Sequence, residues 1–408
     1  MNKVDIAIVG AGMVGLTAAL AIEKLTNLSV AVIDAQGISP LTDDAEVRVS
    51  AINMASKTIL QQLGVWPLIE ATRLQPYQHM HVWDSAGFGH LDFDAKALTG
   101  ANATDNIGWI IENKVIRNAL YQQAEQNANI TLLTGQSITQ LAQGDGEVFI
   151  TLENAAPVLA KCVVGADGAN SWVRKQAGIT LTFRDYDHTA LVATVESTGG
   201  HQNTAWQSFL DTGPLAFLPL FNAQQCSIVW STSPEHANQL MAMDEVDFNK
   251  HISAASDGKL GNIKLVSERF TYPLSMRYAQ DFVKNRIILI GDAAHTIHPL
   301  AGQGVNLGLL DAAALADTFS QLSRPLAEEY PQTELLAFAR WRKSEAVDLI
   351  AAMESIKQVF AVRNPFAKLM RGIGMSTINR LSPIKSALTA QALGYKSHLP
   401  SLAKTTEK

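Results

Sequence analysis

Residues 4–15 read VDIAIVGAGMVG, and no other stretch of the chain restricts its fold as tightly. A β-branched run feeds a G-x-G-x-x-G turn, and Leu16 to Leu25 continue as good helix formers. Strand, glycine turn and helix in that order are what a dinucleotide site needs. Gly10 allows the tight turn, Gly12 lets the backbone approach a pyrophosphate, and Gly15 lets helix and strand pack closely. The helix start offers free N–H groups and the positive end of a dipole to phosphate. A second strand, Ser29 to Ile33, ends at Asp34, about 20 residues on, where a ribose-binding acid belongs. The alternative is a glycine-rich turn in an ordinary α/β protein; the acid at the strand end favours the nucleotide.

A chain of 408 residues can build two or three core-forming units. A hydrophobic share of 47% with 17% charged residues is globular. A net charge of −6 argues against nucleic acid as a partner. The two cysteines, Cys162 and Cys226, lie in apolar runs and read as buried free thiols in a reducing compartment. Ile6 to Ile22 imitates a signal peptide but lacks a basic leader and a small-residue cleavage site. Charges interrupt every candidate membrane span. The expected location is cytoplasmic.

Along the chain, Ser56–Leu63 and Asn113–Gln126 read as helices, and Met80–Asp84 with His90–Phe93 as a hairpin. From Leu181 to Arg269 alternating strands dominate, with helices near Pro234–Met241 and Glu245–Ser256. Two more strands end in glycine and a carboxylate, at Gly165-Ala166-Asp167-Gly168 and at Gly291-Asp292. Asp34, Asp167 and Asp292 thus suggest one extended ligand gathered from distant segments.

These motifs identify a resemblance. The chain is similar to the group A flavoprotein monooxygenases, the p-hydroxybenzoate hydroxylase class, whose N-terminal GxGxxG, central DG and late GD motifs match Gly10–Gly15, Asp167-Gly168 and Gly291-Asp292. It resembles most closely the ubiquinone-biosynthesis ring hydroxylases. Their HPxAGQGxNLG run stands here at His298 to Gly308, and their RxSAxN at Arg48 to Asn53. Asp185–His188, Leu191–Thr194 and Asn364-Pro365 look like the 2-polyprenylphenol hydroxylase. Trp206–Phe209 and Phe217–Phe221 look more like the hydroxylase of the later methoxy-benzoquinol.

The resemblance implies an α/β fold: a Rossmann-like FAD-binding domain of the glutathione-reductase type, an inserted antiparallel-sheet substrate domain and a helical C-terminal region. Residues 1–75, 98–180 and 270–330 would form the first, 76–97 and 181–269 the second, and 331–408 the third. It assigns Gly10, Gly12 and Gly15 to the FAD pyrophosphate and Asp34 to the adenosine ribose. Arg48 would hold the cofactor near its diphosphate and flavin, Asp167 would lie near FAD and the nicotinamide donor, and Asp292 would bind the ribityl chain. Asn113 falls where the wider class often has arginine. Pro299, Gly302, Gly304, Val305 and Asn306 would sit against the flavin ring, where the positive end of the following helix suits reduced, anionic flavin. His295 and His298 would be structural, their rings bonded to nearby backbone.

The implied chemistry is reduction of FAD by NADPH or NADH, then attack of an electron-rich polyprenylated phenol on a flavin C4a-hydroperoxide formed with O₂. The cofactor carries that chemistry, and the protein supplies orientation and a site that excludes water. Accordingly, no metal-ligand spacing or nucleophile triad stands out. Phe217, Pro219, Phe221 and Trp230 are candidate lining residues, with ordinary sheet core as the competing reading. A flavin halogenase is disfavoured, since its paired-tryptophan motif is missing. From Ser355 to Thr406 there are eight Lys or Arg and no acid, interleaved with Phe360, Phe366, Leu369, Met370, Ile373 and Met375. Such a stretch suits a membrane surface or a biosynthetic partner, with a peripheral location at the membrane's inner face. Whether the chain forms a homo-oligomer is left open.

Overall fold

The computed structural model describes residues 1–97, 104–297, 304–326, 328–362, 364–381, 385–386, 388–390, 393–394 and 398–404. The chain begins β1 (Asn2–Val9), α1 (Met13–Thr26), β2 (Val30–Asp34), β3 (Val49–Ile52), α2 (Met54–Gln62), α3 (Trp66–Thr72) and β4 (Gln75–Tyr77). It continues β5 (His79–Asp84), β6 (His90–Asp94), β7 (Gly108–Glu112), α4 (Asn113–Glu125), β8 (Ile130–Thr134), β9 (Ile138–Gln143) and β10 (Val148–Leu152). Then follow β11 (Val158–Gly165), α5 (Trp172–Gln176), β12 (Leu181–Ser197), β13 (Thr204–Leu210), β14 (Gly213–Pro219) and β15 (Gln225–Thr232). The next elements are α6 (Pro234–Ala242), α7 (Glu245–Ala255), β16 (Ile263–Leu265), β17 (Phe270–Ala279), β18 (Val283–Lys284), β19 (Ile287–Leu289) and β20 (His295–Thr296). Helices α8 (Gly304–Ser320), α9 (Gln332–Ala361) and α10 (Pro365–Arg380) complete it.

Eight strands form the first sheet, in the order β18-β19-β11-β1-β2-β8, with β10 and β9 branching from β11. The pairings β19–β11–β1–β2–β8 are all parallel. Strands buried on both faces should be continuously apolar, and residues 6–9, 30–33 and 162–164 are. Helices α1 and α8 cross on one face at glycines: a Cβ on Gly308 would lie 2.6 Å from Val14 Cγ2.

The second sheet runs β20-β17-β12-β15-β14-β13-β5-β6, with β16 added on β12. Two features depart from the sequence reading. Phe270–Ala279, assigned above to the FAD-binding part, pairs along β12 in this sheet. The sheet is also not wholly antiparallel, because β13 and β5 run parallel. These are long-range pairings, and local pattern carries no signal for them.

Strand alternation sorts this sheet into two faces. Leu191, Val195, Leu215, Phe217, Ile228 and Trp230 pack under Leu240, Phe248 and Ile252 of α6 and α7. Ala205, Leu218, Ala216 and Val229 face the other way, toward Ala51, Val49 and Ala45. Phe217 and Trp230 therefore belong to the outer core, and Pro219, paired with Cys226 of that core, shares their side. Phe221 lies outside both layers, exposed with the Arg73 guanidinium 5.1 Å over its ring. None of the four candidate lining residues points at the nucleotide-binding sheet. Parity cannot be read until the register is known.

Helix α10 lies on the β5–β6 hairpin, and a Cβ on Gly89 would come within 2.9 Å of Gly372 Cα. The two cysteines are free and buried, and burial pushes both thiols up to about 12.

Candidate active site

Three motif-bearing turns meet because their strands are neighbours. Val9 pairs with Gly165, and Gly165 with Leu289, so the GxGxxG, DG and GD turns emerge side by side at the carboxyl ends of parallel strands. Open α/β sheets bind ligands at that edge.

The first turn has the shape of a phosphate cradle. Gly10 sits at φ +111, and a Cβ there would lie 2.4 Å from Ala166 O; one on Gly15 would lie 1.9 Å from Gly10 O. Neither position tolerates a side chain. Gly12 differs, since a Cβ there meets nothing within 4 Å. It is the N-cap of α1, with no side-chain cap and no acid in the first turn. The leading N–H groups of α1 are thus open to an anion. A dinucleotide pyrophosphate fits this donor set.

Asp34 shapes the turn as well as flanking it. Its Oδ2 accepts from Ala11 N at 2.7 Å and its Oδ1 from Gln36 N at 2.7 Å. Spare lone pairs on the carboxylate can still meet a ribose hydroxyl. Arg117, unmarked by the sequence reading, donates from Nε to Ala11 O at 2.8 Å and holds Nη2 3.9 Å from Asp34. Its cation stands beside the cradle. Asn113, one helical turn earlier, points elsewhere: its Oδ1 accepts from Ser50 Oγ at 2.7 Å.

At the other two turns, Asp167 Oδ2 caps α5, accepting from Trp172 N at 2.7 Å and Val173 N at 3.0 Å. Its Oδ1 is buried without a partner among the described residues. Arg174 links the turns, donating to Ala293 O at 2.8 Å and Ala169 O at 2.9 Å. Asp292 is an exposed residue, yet its carboxyl stands among many neighbouring protein atoms. That crowding raises its carboxyl above the ordinary range, with Asp311 adding to the rise and His295 and Arg48 opposing it. Arg48 and Asp292, 244 positions apart by subtraction of their numbers, therefore act on one another here. The Arg48 guanidinium also lies 5.5 Å over the Tyr272 ring, bridging toward the second sheet.

Beneath the GD turn lies a buried hub. Asp311 Oδ2 accepts from Gly291 N at 3.0 Å and from His295 Nε2 at 2.6 Å, while Oδ1 accepts from Arg342 Nε at 2.6 Å. Burial works to raise the Asp311 carboxyl, but the charges and hydrogen bonds of His295 and Arg342 outweigh it and hold it below the ordinary range. The structural role expected for His295 therefore has a carboxylate as its partner, where backbone was expected. His298, Pro299 and Gly302 lie outside the described residues. Gly304 opens α8 with only Ile297 Cγ1, at 3.9 Å, near the place of a Cβ. Val305 is half-buried against the core. Asn306 is buried and bridges to β3, donating to Ala51 O at 2.8 Å and accepting from Asn53 N at 3.1 Å. Its amide fixes the RxSAxN segment against the start of α8.

An uncapped helix start and three clustered strand-end turns define a dinucleotide-binding α/β protein. The family described as FAD binding domain matches residues 3–350, and the chain belongs to it and, within it, to the ubiquinone-biosynthesis monooxygenases. The chain is 34% identical over 438 residues to the mitochondrial ubiquinone biosynthesis monooxygenase COQ6 of Xenopus tropicalis, covering 95% of this chain and 93% of the relative. It is 34% identical over 393 residues to the 3-demethoxyubiquinol 3-hydroxylase of Escherichia coli K12, covering 96% and 98%. The crystal structure of p-nitrophenol 4-monooxygenase from Pseudomonas putida DLL-E4 shares the fold, with a TM-score of 0.76 at 18% identity over 96% of this chain and 99% of that one. The protein is an FAD-dependent monooxygenase, of a family in which NAD(P)H is the typical reductant.

Proposed function

We propose that the protein hydroxylates the ring of a polyprenylated phenol on the way to ubiquinone. The observation that carries this reading is near end-to-end similarity to two ubiquinone-pathway hydroxylases. Gly10, Gly12 and Gly15 hold the FAD pyrophosphate at the start of α1, with Arg117 as an added cation. Asp34 takes the adenosine ribose, Asp292 with Arg48 takes the middle of the cofactor, and Asp167 borders the site. The flavin ring lies toward Pro299, Gly302, Gly304, Val305 and Asn306. When bound, FAD supplies the activation of O₂. The chain's own residues orient cofactor and ring, and the second sheet keeps water away from them.

The name of the Escherichia coli relative favours a second reading, hydroxylation of the later methoxy-benzoquinol at another ring carbon. Deleting the gene and identifying the precursor that accumulates separates the two. A polyprenylphenol that carries only its original ring hydroxyl supports the first reading, a demethoxyubiquinol supports the second, and normal ubiquinone contradicts both.

The substrate's tail makes the membrane surface a further element of the proposal. Phe366 is 72% exposed on α10, and Leu369, Met370 and Ile373 are exposed beside it. The basic residues divide differently than their sequence suggests. Lys368 pairs with Asp211 at 3.1 Å and Arg371 is buried against Asp84 at 2.7 Å, while Arg363 lies outside the described residues. The apolar residues of α10 are the better candidates for membrane contact. Among the described residues no helix is long and apolar enough to cross a membrane.

A further inference from the structure

The face of the second sheet turned toward β3 has one row that is apolar except at a single position. Side by side across β5, β13, β14, β15 and β12 stand Val82, Gln207, Ala216, Val229 and Val192. Gln207 is 7% exposed, and its amide makes no hydrogen bond among the described residues. Buried polar groups are almost always paired, so an unpaired amide in an apolar row needs a reason. Ser227, in the next row of the same face, has one: its hydroxyl donates to Val47 O at 3.1 Å. Thr194, opposite Ser227, has a hydroxyl sealed away from any ligand. The Gln207 amide is not among the sealed groups.

Its surroundings suit a ring. Ala216 beside it and Ala205 before it carry only methyl groups, which leaves a shallow apolar floor. Ala205 packs in one cluster with Ala51, whose carbonyl takes the Asn306 amide at the start of α8. Gln207 stands two residues further along β13, about 7 Å at the usual strand rise. On its far side, Phe209 stacks on Phe360 at 3.7 Å between ring centroids. The floor thus runs from the α8 start to a single hydrogen-bonding group.

We infer that Gln207 anchors the substrate ring by its hydroxyl. The phenol O–H donates to Oε1. A neutral amide fixes orientation at any physiological pH without taking a proton. This rests on the polyprenylphenol reading above. Gln207 lies in the Trp206–Phe209 segment noted above for its resemblance, but only the register shows which face it shares.

The test is binding of 2-geranylphenol and of its methyl ether to the FAD-loaded enzyme, read from the perturbed flavin spectrum, in wild type and in Gln207→Leu. The wild type should bind the phenol about tenfold more tightly than the ether, and Gln207→Leu should lose that tenfold while binding the ether as before. Flavin content and thermal midpoint should not fall, since Leu fits an apolar row. Gln207→Glu keeps an acceptor and should recover most of the preference. Equal losses for both ligands, or an unchanged preference in Gln207→Leu, would overturn the assignment to Gln207. Wild type that binds neither ligand contradicts the polyprenylphenol reading itself, and with it the ligand named here.

Discussion

Arg342 and Arg371 each reach a buried carboxylate from a C-terminal helix, but their surroundings differ. Arg342 meets Asp311 inside the core, among residues of α8 that are buried almost all round, and the same carboxylate holds Gly291 N and His295. Arg371 meets Asp84 under α10, whose outer side exposes Phe366, Leu369 and Met370. Further out, the α10 seam consists of Asn379 with Asp92 and the exposed pair Lys368–Asp211. The first pair is knitted into the turn that carries Asp292. The second fastens a helix whose buried side closes only the small cluster of Val82, Phe209 and Met375, apart from the nucleotide-binding core. Similar pairs can therefore serve a cofactor site in one place and a docked surface element in another.

Asp311→Ala should have the largest effect. It strands the Arg342 and His295 side chains and frees the Gly291 turn, so a loss of about 3–5 kcal/mol is expected, with flavin lost from the purified protein. Thermal unfolding and flavin content measure both. The pH dependence has a defined sign. The folded carboxyl lies below its unfolded value of about 3.9, so the hub's stabilisation is complete at neutral pH and is lost as pH falls from about 5 through the lower folded value. An acid limb that persists unchanged in Asp311→Asn would show that other carboxylates set it.

Arg371→Ala should cost less, about 1–3 kcal/mol, because α10 can swing away and let water reach Asp84. Hydrogen exchange should quicken in α10 and the β5–β6 hairpin while flavin content stays constant. Loss of flavin here would erase the distinction between the pairs. Smallest in stability is the triple change Phe366→Ser, Leu369→Ser and Met370→Ser, within about 0.5 kcal/mol per site since all three are exposed. Its effect should appear in liposome flotation, where binding falls several-fold; unchanged flotation contradicts membrane contact through α10.

Much of the nucleotide-binding sheet was legible because its signals are local. Gly10 to Gly15, Asp34 and the GD turn each read out within a dozen residues of a strand. The hub was not, because Asp311 sits in an alanine-rich helix pattern and its partner Arg342 comes 31 residues later. Arg117 was legible in principle, one turn beyond Asn113 on the same helix face. The orientation of the second sheet was hidden by parity: Phe217 and Trp230 read as apolar strand residues whichever face is buried, and only pairing with α6 and α7 settles the question. Gln207 was hidden for the same reason. The charge of the C-terminal stretch is legible in the sequence but its pairing is not: Arg371 is buried against Asp84, and Lys368 pairs with Asp211 at the surface.

On the function proposed, this chain places one atom of O₂ on the ring of a prenylated phenol, with NAD(P)H consumed in step. Turnover of 2-geranylphenol by the FAD-loaded enzyme under isotopically labelled O₂, followed by mass spectrometry, tests it most directly. The expected product is a hydroxylated ring carrying one labelled oxygen for each NAD(P)H oxidised. Oxidation of NAD(P)H to peroxide alone, or a hydroxyl oxygen drawn from water, would contradict it.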